Sequence, residues 1–300
     1  MSSSSAEMAD RARQSRGKLS KLYSDAADAY EDLWAPELLP LSRAVLSHLA
    51  LEKAHAVLEA GAGIGSLLPE LRERAPNAVV VAADLSFGML KRASGEFPRA
   101  VMDASLLSFK DESFDAAVLA FVLFHLFDPA QGIAEMARVT RPNGLIGTVT
   151  WGAEHDPPAY EIWFEELTDH GAPPPDPDFA KFELVDTPEK VEALMTEERL
   201  HLVRSWVGEY RSTCTPDDFL AHRTRHGQSR LRYEAMPTEV KNRCLERARC
   251  RLQRLEPKAS RNARRLSTSL VRNCEVGLGP RGPRDGTIDG KGGQCCGTVK

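Results

Sequence analysis

Residues 57–65 read Val-Leu-Glu-Ala-Gly-Ala-Gly-Ile-Gly, an apolar run that ends in a carboxylate and three glycines at alternate positions. Such glycines free the backbone for a tight turn and for close approach to a ligand. The apolar spacing of Leu67, Leu68 and Leu71 predicts a helix that begins directly after this loop. A loop between a strand and a helix start is a common place to bind a nucleotide-like cofactor.

The residue after the third glycine distinguishes between cofactors. A dinucleotide fingerprint has glycine at its sixth position, where helix and strand pack closely around a pyrophosphate. Here that position is Ser66, which favours S-adenosylmethionine (SAM), a cofactor without phosphates. An NAD-dependent Rossmann oxidoreductase stays open as an alternative.

A second carboxylate follows the short apolar run 78–83, 25 residues after Glu59. A parallel strand there would place Asp84 beside the glycine loop, with Leu85 next to it. The carboxylate can then accept both hydrogen bonds of a ribose diol. Asp84 could equally cap the helix predicted at residues 87–92.

A third short strand, residues 100–102, ends at Asp103 and Ala104. A carboxylate there can accept a hydrogen bond from the exocyclic amine of adenine, and the next backbone amide can donate to a ring nitrogen. The continuous apolar run 116–122 predicts a strand buried on both faces. We predict that Ala120 and Phe121, near its end, also contact the cofactor.

Strand and helix alternate four or five times in under a hundred residues, through a helix at 130–139 and a strand at 145–151. This predicts an α/β fold with a Rossmann-like open, mostly parallel sheet and helices on both faces. Residues 200–210 are predicted as strand six, with helices at 216–226 and 237–255.

The motifs, in this order, resemble those of the class I SAM-dependent methyltransferases of the bacterial small-molecule type, similar to the ubiquinone/menaquinone C-methyltransferase group. The resemblance covers about residues 20–255. It implies in-line transfer of the sulfonium methyl group of SAM to a small-molecule acceptor. It also implies that Asp84 holds the ribose of SAM, and that Asp103 with Ala104 holds the adenine. The methionine end would be held by Glu59, Gly61, Ala62, Gly63 and Gly65.

Two departures from the family pattern are mild. Glu59 stands where the family more often has aspartate, and Asn143 stands where it usually has another glycine. Asparagine tolerates left-handed backbone angles better than most residues.

Several methyltransferase classes are excluded by position. Enzymes that methylate base amines or glutamine amides carry an Asn/Asp-Pro-Pro-aromatic tetrad after strand four, where this chain has Ala-Phe-Val-Leu at 120–123. The similar segment 156–160 follows strand five and is predicted as a loop before a helix. Cytosine C5 methylation needs a nucleophilic cysteine near strand four, but all six cysteines lie at or beyond Cys214.

Composition points to a cytoplasmic protein. The net charge of -4 and the pI near 6.1 give no general attraction to nucleic acid. No apolar run has membrane-spanning length, and the cysteine spacing predicts free thiols and no metal site. The expected partner is a small-molecule methyl acceptor, neither nucleic acid nor membrane, and the oligomeric state is not indicated.

Acceptor binding is predicted for residues 21–50 and 152–198, a cap rich in aromatic side chains. Alternatively, these rings only pack the cap onto the sheet. His125, just past strand four, is the candidate general base, and His155 is the second candidate; either could be only a hydrogen-bonded structural histidine. The aromatic set comprises Tyr23, Tyr30, Trp34, Tyr160, Trp163, Phe164, Phe179 and Phe182.

Three segments follow from these patterns. Residues 1–20 are predicted as disordered, 21–257 as the methyltransferase domain, and 258–300 as a disordered basic, glycine-rich tail. Related folds end in a seventh, antiparallel strand, and only residues 266–271 could form one here, so that strand is doubtful. The tail is either a genuine appendage or the result of a frame change near Lys258. A methyltransferase-like protein that binds cofactor without turnover is therefore the second interpretation.

Overall fold

The computed structural model describes residues 2–153, 158–198, 200–255 and 261–273. In this part of the chain one seven-stranded sheet forms the centre of the molecule. Its strands are β1 (Ala56–Ala60), β2 (Val79–Asp84), β3 (Arg99–Val101), β4 (Phe114–Ala120), β5 (Thr140–Trp151), β6 (Leu200–Thr213) and β7 (Arg261–Asn273).

The strand order is β3-β2-β1-β4-β5-β7-β6. Neighbouring strands from β3 to β5 pair in parallel, whereas β7 pairs antiparallel with both β5 and β6. The chain order reverses between β1 and β4, which opens a crevice at the carboxyl ends of these strands. The predicted α/β fold is confirmed.

Helices cover the sheet and extend beyond it. Single turns at Tyr30–Trp34 (π-helical), Leu123–His125 and Phe182–Leu184 (both 3₁₀) connect some of them. The α-helices are α1 (Ser2–Asp25), α2 (Ala27–Ala29), α3 (Ala35–Leu46), α4 (Leu68–Arg74), α5 (Phe87–Leu90), α6 (Pro129–Val139), α7 (Pro158–Asp169), α8 (Pro188–Glu197), α9 (Pro216–Arg225), α10 (Gly227–Glu234) and α11 (Thr238–Leu252).

Two hydrophobic clusters hold these layers together. The larger cluster lies around the sheet, because the central strands are apolar on both faces and α3, α4 and α6 each bury an apolar stripe against them. The second cluster joins α7, α9 and α11 around Trp163 and Cys244, both fully buried. The cap therefore has a small core of its own.

The predicted limits of the cap need correction. Helix α8, inside the predicted cap segment 152–198, packs on the sheet instead, where Val191 and Met195 join the larger cluster. Helices α9 and α11, which lie outside that segment, belong to the cap cluster. A sequence pattern shows that a helix has an apolar face but not which layer covers it.

The prediction of a disordered segment at 1–20 is wrong. Residues Ser2–Asp25 form one helix, and its end packs against α5, where Ser24 Oγ lies 2.8 Å from Ser86 Oγ. Its polar residues bond to distant loops; for example, Arg11 Nη2 donates to Asp178 Oδ1 at 2.8 Å. Such contacts hold this polar helix in place, and composition alone does not reveal them.

The doubt about a seventh strand is also wrong, and with it the tail boundary at 258. Strand β7 runs through Arg261–Asn273 between β5 and β6, so its backbone is hydrogen-bonded on both sides. Thr268, Ser269 and Val271 are buried there, and Asn273 Nδ2 donates to the carbonyl oxygens of Ala137 and Thr140. Two flanking strands supply pairing that the weak strand propensity of this sequence could not predict. Because the strand is present, the frame-change interpretation loses its main support; residues 274–300 lie outside the described part.

Within the ranges described, no helix combines the length and apolar character needed to cross a membrane.

Candidate active site

The glycine loop after β1 has the backbone form that its spacing predicts. Gly61, Gly63 and Gly65 have φ values of +77°, +57° and +78°. The amides of Gly61 and Ala62 both donate to the carbonyl oxygen of Ala83, at 2.7 and 3.0 Å, which ties the loop to the end of β2. The loop is therefore held open at the crevice between β1 and β4.

All three glycines have positive φ, and at two of them packing adds a second constraint. A Cβ atom on Gly61 would overlap Val122 Cγ2, and one on Gly65 would lie 2.7 Å from Leu68 Cδ1 and 2.8 Å from Ala93 Cβ. A Cβ atom on Gly63 would meet only Met89 Cε at 3.4 Å, an ordinary contact. Packing thus excludes side chains at two positions, whereas Gly63 is constrained by its positive φ.

Two carboxyl groups lie beside this loop, Glu59 buried and Asp84 half-buried. Glu59 is 4% exposed, and its Oε2 atom has no hydrogen-bond partner among the described residues. Burial, with a smaller contribution from the negative charge of Asp84, raises the pKa of Glu59 well above its usual range. Burial also raises the pKa of Asp84. A bound cationic group would relieve the cost of ionising both.

Asp84 joins the loop to the next turn. Its Oδ2 accepts from the Gly63 amide at 2.8 Å, and its Oδ1 accepts from the Ser86 amide at 2.7 Å. The N-cap of α5 is Ser86, whose Oγ accepts from the Met89 amide, so the alternative that Asp84 caps this helix is wrong. A carboxylate has about four lone-pair sites, which leaves capacity for the predicted ribose contact.

Asp103, predicted to contact adenine, is tied to the N-terminal helix. Its Oδ1 accepts from the Ser105 amide at 2.8 Å, and its Oδ2 accepts from Arg16 Nη1 at 3.0 Å. The adenine contact remains a prediction.

A cavity of about 930 Å³ opens at the carboxyl ends of the strands. It brings together most of the predicted site residues: Gly61, Gly63, Asp84, Leu85, Asp103, Ala104, Ala120, Phe121 and His125. Glu59 and Ala62 line a small adjoining pocket, and Gly65 lines neither. Gly65 thus acts in packing here, and its predicted contact with cofactor finds no support in this geometry.

A residue with strained backbone directly follows strand β4. Phe121 has φ = +59°, an unfavourable value for a bulky side chain. Its amide still donates to the Val149 carbonyl at 2.8 Å, and its ring contacts Trp151 with centroids 4.8 Å apart. Sequence gave no sign of this conformation.

The rest of the cavity is an aromatic chamber, formed by the π-helical turn, α7 and the loop 175–182. The prediction that these rings line the site fits every member of the set except Trp163, which is fully buried in the cap core. The rings lining the cavity from this set are Tyr23, Tyr30, Trp34, Tyr160, Phe164, Phe179 and Phe182.

His125 lies in this chamber with its ring nitrogens engaged. Nε2 is 2.7 Å from Tyr23 Oη, and Nδ1 is 3.4 Å from the Phe179 carbonyl oxygen. A carbonyl oxygen only accepts, so the proton belongs on Nδ1 and Tyr23 donates to Nε2. Burial lowers the pKa of His125 to about 4, which keeps the imidazole neutral. The second candidate, His155, and its neighbours Glu154 and Asp156 lie outside the described residues.

Sequence reasoning missed three polar groups of the chamber. Arg223 and His226 come from α9 and its end, and Arg232 comes from α10. All three lie more than 180 residues from the first aromatic residues of the cavity, so only folding brings them there. Short polar helices rich in arginine carry no local signal that distinguishes them from an exposed surface.

Comparison with known proteins agrees with this geometry. Residues 58–147 match the family described as "Methyltransferase domain". Demethylmenaquinone methyltransferase from Mycobacterium sp. strain KMS is 41% identical over 105 residues, which cover 35% of this chain and 45% of that protein. The chain thus matches less than half the length of this relative.

Solved structures share the architecture. A protein of Anabaena variabilis, assigned as a methyltransferase of an antibiotic biosynthesis pathway, aligns with a TM-score of 0.55 and 17% identity over 77% of this chain and 96% of its own. The [4+2]-cyclase SpnF aligns with a TM-score of 0.50 and 16% identity over 78% of this chain and 80% of its own. At these identities the likeness concerns the fold.

The glycine loop and the two carboxyl groups beside it thus lie within residues 58–147, the segment that matches a methyltransferase domain.

Proposed function

We propose that this chain binds SAM and transfers its methyl group to a small-molecule acceptor held in the aromatic chamber. The observation that carries the proposal is the pair of carboxyl groups at the glycine loop, Glu59 buried and Asp84 half-buried. Both have raised pKa values, and the Oε2 atom of Glu59 has no hydrogen-bond partner among the described residues. SAM carries a sulfonium and an ammonium group, the type of charge that such a pair would stabilise.

In this proposal the chain's own residues divide the task. Glu59 and Asp84 orient the cofactor, and Asp103 with Ala104 lies where the adenine is expected. When bound, SAM supplies an electrophilic methyl group that an aligned nucleophile can accept. The aromatic walls orient the acceptor and exclude water, which supplies the proximity that such a transfer needs.

We infer that His125 and Tyr23 together receive the proton that the acceptor loses. Tyr23 would take the proton as it passes its own to His125 Nε2, along the 2.7 Å contact. A base with a pKa of about 4 cannot deprotonate a phenol or an alcohol beforehand. It can accept a proton from a hydroxyl oxygen that becomes strongly acidic as its new bond to carbon forms.

The acceptor is proposed to contain an aromatic ring. Seven aromatic side chains of the predicted set line the chamber, and the related mycobacterial protein is named for demethylmenaquinone. However, most of the chamber lies outside the matched residues 58–147. This match therefore does not identify the acceptor of this chain.

Calorimetric titration with SAM tests the cofactor site. We expect Asp84→Asn and Glu59→Gln each to weaken binding by tenfold or more, about 1.4 kcal/mol. Glu96→Gln, at an exposed carboxylate away from the cavity, serves as the control and should bind like the parent chain. Unchanged affinity in folded Asp84 and Glu59 variants would contradict the cofactor assignment.

A product assay over phenols, amines and carboxylates then tests turnover. Mass spectrometry should detect an acceptor heavier by one methylene unit only when SAM is present. Tight SAM binding without product from a broad panel would instead support the second interpretation, a cofactor-binding protein without methyl transfer.

A further inference from the structure

Helix α10 places a buried arginine in the wall of the acceptor chamber. Arg232 is only 6% exposed and lines the cavity. Its hydrogen-bond partners among the described residues are neutral: Nε donates to the Pro173 carbonyl at 2.7 Å, and Nη2 donates to Thr168 Oγ1 at 3.2 Å. Within the ranges described, no carboxylate forms an ion pair with this guanidinium.

A charge in such a position is unusual. Taking a cation out of water costs several kcal/mol unless an anion or a full set of hydrogen bonds compensates. Consistent with this cost, burial lowers the pKa of Arg232. Two of its five N–H donors have the neutral partners above, which leaves donors at the Nη1–Nη2 end of the planar fork.

The nearby acids are already paired with other cations. Asp176, which lines the cavity beside α10, accepts from Lys18 Nζ at 2.6 Å. Glu166, buried in α7 two residues before Thr168, accepts from Arg251 Nη1 at 2.8 Å. The counter-charge for Arg232 is therefore not supplied by these neighbours.

Two further groups make this side of the chamber suited to an anion. Arg223 carries its positive charge over the rings of Trp34 and Tyr160, with Cζ 4.8 and 4.7 Å from their centroids. His226 is 7% exposed and lines the cavity, and its Nε2 has no hydrogen-bond partner among the described residues. An uncompensated cation, a second cation and an unpartnered polar atom thus face one aromatic chamber.

We propose that the acceptor is an aromatic carboxylic acid, whose carboxylate binds Arg232 while its ring lies between the aromatic walls. That this acid is the methyl acceptor rests on the proposed function, whereas its binding to Arg232 does not. An arginine fork binds a carboxylate with two charge-assisted hydrogen bonds. His226 Nε2 adds a polar contact beside the ring.

Matched pairs of probes test the proposal. The pairs are 6-hydroxy-2-naphthoate against 2-naphthol, and 4-hydroxybenzoate against phenol; each pair differs only by the carboxylate. Binding to the full chain is measured by calorimetry, with and without S-adenosylhomocysteine. We expect the acid of each pair to bind at least tenfold more tightly than its neutral partner. Equal affinity, tighter binding of the neutral partner, or binding of neither would overturn the proposal.

Variants locate the source of the preference. In Arg232→Met the preference for the acid should fall below about threefold, while 2-naphthol binds within about threefold of its affinity for the parent chain. Arg230→Met is the matched control, because Arg230 lies on the same helix but pairs with Glu234 and does not line the cavity. It should keep the preference.

Arg232→Lys keeps the charge without the planar fork and is expected to give an intermediate preference. It also covers the case in which Arg232→Met fails to fold. A full preference for the acid in folded Arg232→Met, or in Arg232→Lys if Arg232→Met fails to fold, would overturn the assignment to Arg232. Because these readouts measure binding, failure of SAM binding or of turnover is a separate result that concerns the proposed function.

Discussion

At the scale of single residues, the glycines of the cofactor loop can be distinguished although the sequence presents them as equivalent. Gly61 and Gly63 both have positive φ, so alanine at either position carries a backbone strain of about 1–2 kcal/mol. Of these two positions, only at Gly61 does the added Cβ also overlap a neighbour, Val122 Cγ2.

We therefore expect Gly61→Ala to lower the free energy of unfolding by more than Gly63→Ala, by roughly 1–3 kcal/mol of overpacking. Urea denaturation measures the difference. Adding Val122→Ala should recover part of the loss in Gly61→Ala and none in Gly63→Ala. Equal losses in the two single variants would show that the loop relaxes around the new methyl group.

Two predicted site residues, Asp84 and His125, make hydrogen bonds that the sequence motifs do not predict. Asp84 has the expected place but also holds the Gly63 and Ser86 amides, so its removal loosens the loop as well as any ribose contact. His125 has the expected place, but Tyr23 occupies its Nε2 atom. Sequence can predict a residue's position, whereas its hydrogen-bond partners depend on distant segments.

At the scale of elements, the N-terminal helix α1 covers the cofactor side of the cavity. Ala12, Arg16, Leu19, Ser20 and Tyr23 of this helix line the cavity. It also packs closely against α5, where a Cβ atom on Gly88 would lie 2.6 Å from Ser24 Cα. Gly88 is therefore a point at which the docking of α1 can be tested.

We predict that Gly88→Ala displaces α1 even though alanine favours the helix α5 itself by about 1 kcal/mol. Limited trypsin digestion should then cleave faster at Arg11, Arg13 and Arg16, by tenfold or more, and SAM should bind more weakly. Gly95→Ala is the control, because its Cβ meets nothing within 4 Å. Cleavage at an unchanged rate in Gly88→Ala would mean that α1 is not held by this contact.

Contacts between elements explain why the predictions for residues 1–20 and for the tail from residue 258 were wrong. Helix α1 and strand β7 are polar segments whose order comes from partners elsewhere in the chain: loop 176–178 and α5 for the helix, β5 and β6 for the strand. Propensity and hydrophobic pattern describe a segment by itself. They predict the apolar central strands well, because those strands are buried wherever the sheet forms.

At the scale of the whole molecule, two distant segments bring three neutral histidines to the chamber: His125 and His226 line it, and His222 contacts Trp34 in its wall. Burial lowers the pKa values of His125 and His222 to about 4 and that of His226 to about 3, where the charge of Arg223 also contributes. In the unfolded chain a histidine titrates near 6.5. Between these values the unfolded state binds more protons than the folded state, so stability is lost as the pH falls from about 6.5 to about 4.

Other buried groups add to or oppose this effect; the raised pKa of Glu59, for instance, favours the folded state as the pH falls. The contribution of one histidine is therefore measured as a difference between variants. Between pH 7 and pH 4.5, His226→Phe should lose less stability than the parent chain, by about 1 kcal/mol or more. Thermal unfolding at several pH values provides the measurement.

His55→Asn, at an exposed histidine, is the matched control and should follow the parent chain. An identical pH dependence for His226→Phe and the parent chain would mean that His226 is not held neutral by its surroundings.

The amino-acid sequence by itself determined the parallel part of the sheet, the glycine loop and the carboxylates at the ends of the strands. These features are local: each strand, turn and following acid lies within a few residues, and the strand order then follows from the fold class. The tertiary structure alone decided the order of α1 and β7, the engagement of Asp103 by Arg16, and the meeting of Arg223, His226 and Arg232 in the aromatic chamber. Those contacts join residues far apart in the chain, 62 positions for Ser24 and Ser86 and 87 for Arg16 and Asp103, and no short pattern predicts a charge that becomes buried only when distant helices pack around it.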